Sequence, residues 1–540
     1  MLDEAVFSGD AQFDDVDFTG DCCLGGARFH GGAYFNGAVF RGDLRFGEAT
    51  VTGDAWFDDV EIHAQAWFDR ARIGGDLRFG AVRIDGNAVF EGLAVGGDAT
   101  FSGTGFRGLA LFTGADFGGA AWFDGAGFGR EARFDSATTG GDLSFHGADF
   151  AEGAGFPGAT FGGDVEFGGN DITGDITFRR ATFLRTAVLG PLVFPGLLDL
   201  SDAEFQSAVT IRAATRSLRC RRTRWASTAA LRLRHACVDV SDAVLEFPVS
   251  IAGRSRPFLA DDGGELPEPG LDDPRVRVTS LRGADAAHLV LTDVDLTRCL
   301  FAETVHLDQL KLDGRCPLPL PPPGIRRTRR RTLIEEHHWR AARDGAEGWT
   351  RAPRGVEVRE PAVLAPVYRQ LRKALEDGRN EPGAADFYYG EMEMRRHDPE
   401  SPPGERTLLA LYWAVSGYGL RAARALGWLL LAVVATVLAM MLWGLPQDDP
   451  EPVSTGRVTG DRFTLTTDKP DPVNPRGSYG SRLSSERFDK SLRVVVNSVV
   501  FRSSGQDLTT AGTYVEMTSR VVEPALLGLA ALAVRSRVKR

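Results

Sequence analysis

Large apolar residues recur along the first two hundred residues at alternating steps of six and five. From Phe7 the steps land on Phe13, Phe18, Leu24, Phe29, Phe35, Phe40 and Phe46, then on Val51, Phe57, Ile62, Phe68, Ile73, Phe79, Ile84 and Phe90. The count continues through Phe101, Phe112, Phe123 and Phe134 to Phe205 and Ile211, and of its 38 positions Thr139 alone is polar. Two residues before most of these stands a smaller apolar residue, as at Ala5, Ala11, Val16, Ala27, Ala33, Ala38, Leu44 and Ala49. A helix would space its apolar residues at i, i+3, i+4 and i+7, whereas a tight i, i+2 pair puts both side chains on one face of a strand. The unit is eleven residues long, and a fixed period of this kind marks a repeat architecture.

Polar residues punctuate the pattern just as regularly. Gly-Asp recurs at Gly9, Gly20, Gly42, Gly53, Gly75, Gly97, Gly141, Gly163 and Gly174, all at offsets that are multiples of eleven. The expectation is a corner at each, with glycine taking positive φ and aspartate bonding its own backbone. Short strands joined by corners read as a parallel β-helix. For long faces to stack on long faces, a coil must hold a whole number of units. Two units give a four-sided coil of twice eleven residues; one gives a flattened, two-sided coil. Four sides are preferred, because two Phe and two Ala fill a square section. At about 4.8 Å per coil the exact repeat makes a rod of roughly 45 Å. Phe57, Phe68, Phe79, Phe90, Phe101, Phe112, Phe123 and Phe134 are then a core ladder, each stabilising by about 1.5–3 kcal/mol. Binding falls to the outer face.

Units such as Ala38-Val39-Phe40-Arg41-Gly42 and Ala115-Asp116-Phe117-Gly118-Gly119 resemble the pentapeptide-repeat family, which places Ala two residues before a central Leu or Phe. The resemblance covers about two-fifths of the chain. It implies an all-β solenoid, a right-handed four-sided parallel β-helix; with no P-loop, HExxH or GxSxG motif in the chain, no enzymatic activity and no cofactor are expected. The regular sixth residue departs from the family pattern and implies looser corners. Some members resemble duplex DNA and bind a topoisomerase. Residues 1–200 carry about 30 acids against 13 bases, so a DNA mimic is one alternative; the simpler account is that a soluble rod exposes charge.

Beyond the regular repeat (1–211), residues 212–316 read as a degenerate continuation with a loop insertion. The register fades from 207 to 282, with Ala243, Leu245 and Phe247 keeping strand spacing and a Pro/Gly/Asp loop at 253–275. It returns at Leu291, Leu296, Phe301, Leu307 and Leu312 and stops at the prolines of 317–323. Residues 317–360 read as a basic, Pro-rich linker. Its arginines at 326–331 suit anionic lipid heads or plain solvent. His337 and His338 are adjacent and make a poor chelate, so no metal site is expected. Residues 361–400 read as a helical hairpin and adaptor, with a stripe of Leu364, Tyr368, Leu371 and Leu375, a break at Asp377-Gly378, and Ala384, Phe387 and Tyr388 beyond it.

The C-terminal part changes class. Residues 406–445 read as an interfacial helix and a first transmembrane helix, the uncharged stretch 425–445 being long enough to cross about 30 Å of hydrocarbon. Trp428 and Trp443 mark its ends; Arg421 and Arg424 precede it, and Asp448, Asp449 and Glu451 follow it. That asymmetry places the solenoid in the cytoplasm. Residues 446–488 read as an external polar loop. Residues 489–540 read as a short re-entrant segment (492–501), a second transmembrane helix (511–534) and a basic tail at 535–540, so that both termini are cytoplasmic. The second span carries Glu516, Arg520 and Glu523, a candidate intramembrane ion-pair cluster at i+4 and i+3. The order span, short apolar run, span resembles a two-helix pore-loop channel. Thr509, Thr510 and Gly512 form a candidate filter-like segment that lacks the Gly-Tyr-Gly core of a potassium filter.

Composition narrows the remainder. Net charge is −11, six cysteines show no CxxC spacing, and no export signal opens the chain, so neither zinc nor a disulfide framework is expected. Gly103, Gly105 and Gly108 match a dinucleotide-binding pattern, but Phe106 is in core register and no helix follows. The expectation is a non-enzymatic scaffold in a bacterial membrane. Its partners are the lipid bilayer and an unidentified protein that docks on the acidic rod; no nucleic acid is expected. A homo-oligomeric channel or sensor is the second alternative beside the DNA mimic.

Overall fold

A computed structural model describes residues 2–260, 263–323, 329–343, 347–447, 451–459, 462–501 and 507–538. Much of the basic run (326–328), Asp448, Asp449 and the last two residues lie outside these, as do the side chains of 535–538. The chain divides into two compact units, 1–388 and 389–540.

The first unit is a parallel β-solenoid of about 14 turns followed by helices. One coil consists of the strands Val6–Phe7, Ala11–Gln12, Asp17–Phe18 and Cys22–Cys23. Each pairs in parallel with the strand four places later in the chain: Val6 with Arg28, Ala11 with Ala33, Asp17 with Val39, Cys22 with Leu44. The coil therefore holds two eleven-residue units and has four faces, and the flattened alternative is excluded. Inside, the ladder stacks on itself. Phe90 and Phe112 lie 4.7 Å apart and 4° from parallel, while Phe90 and Phe101, on neighbouring columns, meet edge to face at 5.3 Å and 79°. Both are favoured aromatic geometries, adding about 0.5–1.5 kcal/mol per pair to the burial itself.

The corners work differently from the expectation. None of the Gly-Asp glycines has positive φ. The left-handed residues sit at the other corners, within each five-residue step, and recur every eleven: Glu4, Asp15, Gly26, Gly37, Glu48, Asp59, Arg70, Ala81 and onward to Arg180. There a tight turn closes, as where Ala27 N donates to Leu24 O at 3.1 Å. At the Gly-Asp corners beyond the first coil glycine is selected by crowding instead, while Gly9 and Gly20 in the first coil meet nothing within 4 Å. A β-carbon on Gly97 would lie 2.1 Å from Asp76 Oδ1 and 3.0 Å from the Gly75 backbone of the coil below. Nor do the aspartates bond their own backbone. Asp54 Oδ1 accepts from Asp76 N at 3.0 Å, Asp76 Oδ1 from Asp98 N at 2.9 Å, and Asp98 Oδ1 from Ala120 N at 2.8 Å. The carboxylates form a ladder that satisfies backbone donors between coils.

After Phe183 the register does not fade; it shortens. Phe183 still pairs with Phe205 at the full spacing, but Phe205 pairs with Trp225 and Trp225 with Leu245, so the next two coils are each two residues shorter. Between Asp202 and Arg222 no described residue is left-handed, and two faces run together as the long strands Val188–Asp199 and Val209–Arg219. Trp225 is buried and stacks on Phe205 at 4.5 Å, while Phe247, expected in the same series, is exposed. The loop between Val249–Gly253 and Val276–Ser280 is inserted into a single coil and tied down where Glu268 accepts from Arg234 Nε at 2.6 Å and lies 2.9 Å from His235 Nε2. Winding ends at Lys311–Asp313.

Three helices follow: α1 (Ile334–Ala341), α2 (Pro361–Asp377) and α3 (Glu381–His397), the division between units falling within α3. The expected stripe of Leu364, Tyr368, Leu371 and Leu375 is buried. The stretch expected as a solvated linker is in part buried as well, since α1 hides Glu335, Glu336, His337 and His338. It closes the end of the solenoid: Glu335 Oε1 accepts from Phe301 N at 2.5 Å and Ala302 N at 3.0 Å, and on α2 Lys373 pairs with Asp308 at 2.6 Å. A solenoid needs such a cap, because its last coil has no neighbour.

The second unit contains α4 (Pro403–Ser416), α5 (Ala422–Ala439, continued as a π-turn over Met440–Gly444), an antiparallel hairpin (Val453–Thr459 with Arg462–Asp468), α6 (Tyr479–Arg482), α7 (Ser485–Phe501) and α8 (Thr510–Val538). The polar segment thus holds a hairpin that its proline content hid, and the short apolar run is the second half of a 17-residue helix. Two helical stretches are long and apolar enough to cross a membrane, Ala422–Gly444 and Thr510–Val534.

Candidate functional sites in the paired spans, the cap and the outer face

The two apolar helices cross where glycine replaces side chains. A β-carbon on Gly512 would lie 2.4 Å from Gly444 O. Thr509 closes the contact, its Oγ1 donating to Trp443 O at 2.6 Å and accepting from Gly512 N at 3.1 Å. Thr510 and Gly512 lie inside α8. Their carbonyls follow the helix axis, so the segment is a helix start packed on the end of the first apolar helix and not a carbonyl-lined filter. Arg487, on α7, donates to Met441 O, Leu445 O and Pro446 O at 2.9–3.1 Å. It thereby satisfies carbonyls that the end of a helix leaves open.

The ion-pair cluster forms only in part. Arg520 Nη2 donates to Glu516 Oε1 at 2.7 Å, one helical turn apart. Glu523 does not join them; it is buried on the α5 side of α8, where Thr436 Oγ1 donates to its Oε1 at 2.8 Å, and Oε2 has no partner. Equal spacing along one helix could not reveal this, because the competing partner belongs to another helix.

Sequence reasoning missed the polar core of the cap altogether. Arg330 Nη2 donates to both oxygens of Glu336 at 2.7 Å, Arg340 Nε adds a third bond at 2.7 Å, and Tyr368 OH donates to Oε2. Burial pushes the Glu336 carboxyl up, but the two guanidiniums outweigh it and hold it at about 2. Burial pushes the Glu335 carboxyl up, above its ordinary range, and pulls His337 down to about 4. Beside this core a cavity of about 780 Å³ opens between the later coils and the 334–356 segment. Among the described residues no group of His, Cys, Asp and Glu could hold a metal ion.

The outer face of the rod is built from paired charge. Arg41 meets Asp17 at 2.7 Å, Arg78 meets Asp58 at 2.6 Å and also lies over the Trp56 ring, and Arg107 meets Asp85 at 2.8 Å. Exposed pairs of this kind contribute about 0–1 kcal/mol. Much of the acidity is therefore structural: the ladder aspartates are there to accept backbone hydrogen bonds. With this geometry in view, the family comparison is specific. The family model for pentapeptide repeats matches the chain in nine copies, over residues 2–39, 13–61, 35–83 and 123–169. Pentapeptide repeats are thus present in the regular part of the solenoid. No curated protein and no solved structure matches the chain. All the matched residues lie where each coil holds two full eleven-residue units, so the sixth residue extends the pentapeptide pattern at the Gly-Asp corners without disturbing its inward positions.

Proposed function

We propose that the chain is a non-enzymatic, membrane-anchored scaffold, in which α5 and α8 sit in a lipid bilayer and the pentapeptide-repeat solenoid is presented in the cytoplasm to a protein partner. The observation that carries this reading is the apolar surface of the two helices. Leu430 is 66% exposed, Leu431 55%, Val521 71% and Leu532 59%. In water such a surface is costly, whereas in hydrocarbon the cost disappears and the helix satisfies its own backbone. Orientation follows from Arg421 and Arg424 before the first span and Glu451 after it. The outer face of the regular coils offers a long surface of paired charge suited to protein contact.

The test has two arms. Full-length protein should stay with membranes through an alkaline carbonate wash, and a chain ending at residue 402 should be released. A single cysteine introduced on the rod should resist an impermeant maleimide until cells are permeabilised; labelling of intact cells would overturn the orientation. A second reading, ion conduction by an oligomer, is favoured by Glu523, whose Oε2 is buried without a partner between the helices. Discrete currents in a planar bilayer that change with Glu523→Gln would select it, and silence from inserted protein would leave the scaffold.

A further inference from the structure

We propose that the cavity beside the cap binds the phosphate group of a small molecule. Its volume, about 780 Å³, lies within the range of small-molecule sites. Arg221, Arg222, Arg282, Arg298 and Arg351 line it, against Asp239, Asp242 and Glu303. Three of the arginines are committed: Arg221 to Asp239 at 2.6 Å, Arg222 to Asp202 at 2.6 Å and Arg282 to Glu303 at 2.8 Å. Arg298 and Arg351 have no ion-pair or hydrogen-bond partner among the described residues, and the one lining carboxylate without an ion pair is Asp242. The site thus keeps an excess of free guanidinium within a chain of net charge −11, where general basicity cannot be the reason.

The second observation is His338. It reaches the cavity from α1, is only 4% exposed, and its Nδ1 is bonded to nothing. Burial lowers its pKa, so the ring is neutral and offers one donor and one acceptor. Ser241 and Ser280, joined Oγ to Oγ at 2.8 Å, add hydroxyls to the wall, and Leu300, Ile334 and Val356 supply an apolar side. Planar guanidiniums pair with phosphate oxygens through two parallel bonds. A phosphate monoester, with close to two charges and three acceptor oxygens, matches a wall that holds two free arginines. The phosphate can belong to a soluble metabolite or to a phospholipid head.

The experiment uses full-length protein in detergent micelles and titration calorimetry, with pyrophosphate in one arm and dihexanoyl phosphatidic acid in the other. Saturable binding is expected in at least one arm, weakened tenfold or more in R298A/R351A. The control R28A/R72A, on the rod, should bind as wild type. Pyrophosphate alone would assign a soluble ligand, and phosphatidic acid alone a lipid head. No saturable binding in either arm overturns the proposal, as does undiminished affinity in R298A/R351A or an equal loss in the rod control. Both arginines are exposed, so the variant should melt with wild type. R298Q/R351Q, which keeps more of the side-chain bulk, gives the same comparison should the alanine pair melt early.

Discussion

Thr139 shows how much a single position in the solenoid can be asked to bear. It occupies the column of Phe117 and Phe161, is buried, and its Oγ1 has no partner. An unsatisfied buried hydroxyl costs about 1–3 kcal/mol, so Thr139→Val, of the same shape, should raise the unfolding free energy by about 1 kcal/mol in a denaturant titration. The glycines make a sharper contrast. Gly97 and Gly105 are close neighbours in sequence and look alike there. Yet a β-carbon on Gly97 would strike Asp76 and the Gly75 backbone, while one on Gly105 would meet nothing within 4 Å. Gly97→Ala should therefore cost about 1–3 kcal/mol by overpacking, and Gly105→Ala should be neutral or slightly stabilising. Equal effects on the melting temperature would show that coil-to-coil crowding is not what selects glycine. The inward positions were legible in the sequence because strand spacing fixes which side chains share a face. The reason for glycine at the Gly-Asp corners was not, because the atoms that crowd it belong to the adjacent coil, a full turn away along the chain.

At the scale of elements, the cap is where sequence reading and structure part. Hydropathy treats the adjacent glutamates and histidines at 335–338 as solvent-facing, and only their partners say otherwise: Arg330 before them and Tyr368 on α2. The two C-terminal apolar helices were readable from length and composition alone, whereas Glu523 is separated from Glu516 and Arg520 because Thr436 reaches it from α5. The buried network makes a pH prediction. The Glu336 carboxyl has its folded pKa at about 2, below an ordinary value of 4.5. Its contribution to stability is then fully present above about pH 4.5 and is lost as pH falls towards 2. Glu336→Gln breaks the buried ion pairs that Glu336 makes with Arg330 and Arg340, which should cost about 3–5 kcal/mol at pH 7. The gap between wild type and variant should close on acidification from pH 5 towards 2. A gap that stays constant with pH would mean the network is held by shape and not by charge.

For the whole molecule, the question is what the solenoid counts in. Through Phe183 the two halves of a coil are equivalent in backbone, since inward positions and left-handed corners recur every eleven and the Gly-Asp corners fall at multiples of eleven. Beyond it the coil loses two residues, two of its faces are fused, and the halves are no longer equivalent. The shift escaped the sequence because the alternating count runs unbroken to Ile211 and the next coil is then two residues short, so an eleven-residue count loses its place even though Phe205, Trp225 and Leu245 still pair in register. The difference predicts which insertions the rod accepts. Duplicating residues 90–100 adds half a coil, and every residue beyond it meets a neighbour of its own kind, so the melting temperature should move by only a few degrees. Duplicating five residues there sets Gly-Asp corners on left-handed corners. The aspartate ladder then loses its acceptors at one junction, the crowded glycine positions face β-carbons, and cooperative unfolding should split or fall by roughly ten degrees, the scale of a loss of about 2 kcal/mol in a small cooperative segment. An eleven-residue duplication between Phe205 and Trp225 should behave like the five-residue one upstream, because no half-coil exists there to be copied. Tolerance of all three insertions would mean that the pentapeptide, rather than the eleven-residue pair, is the unit that assembles.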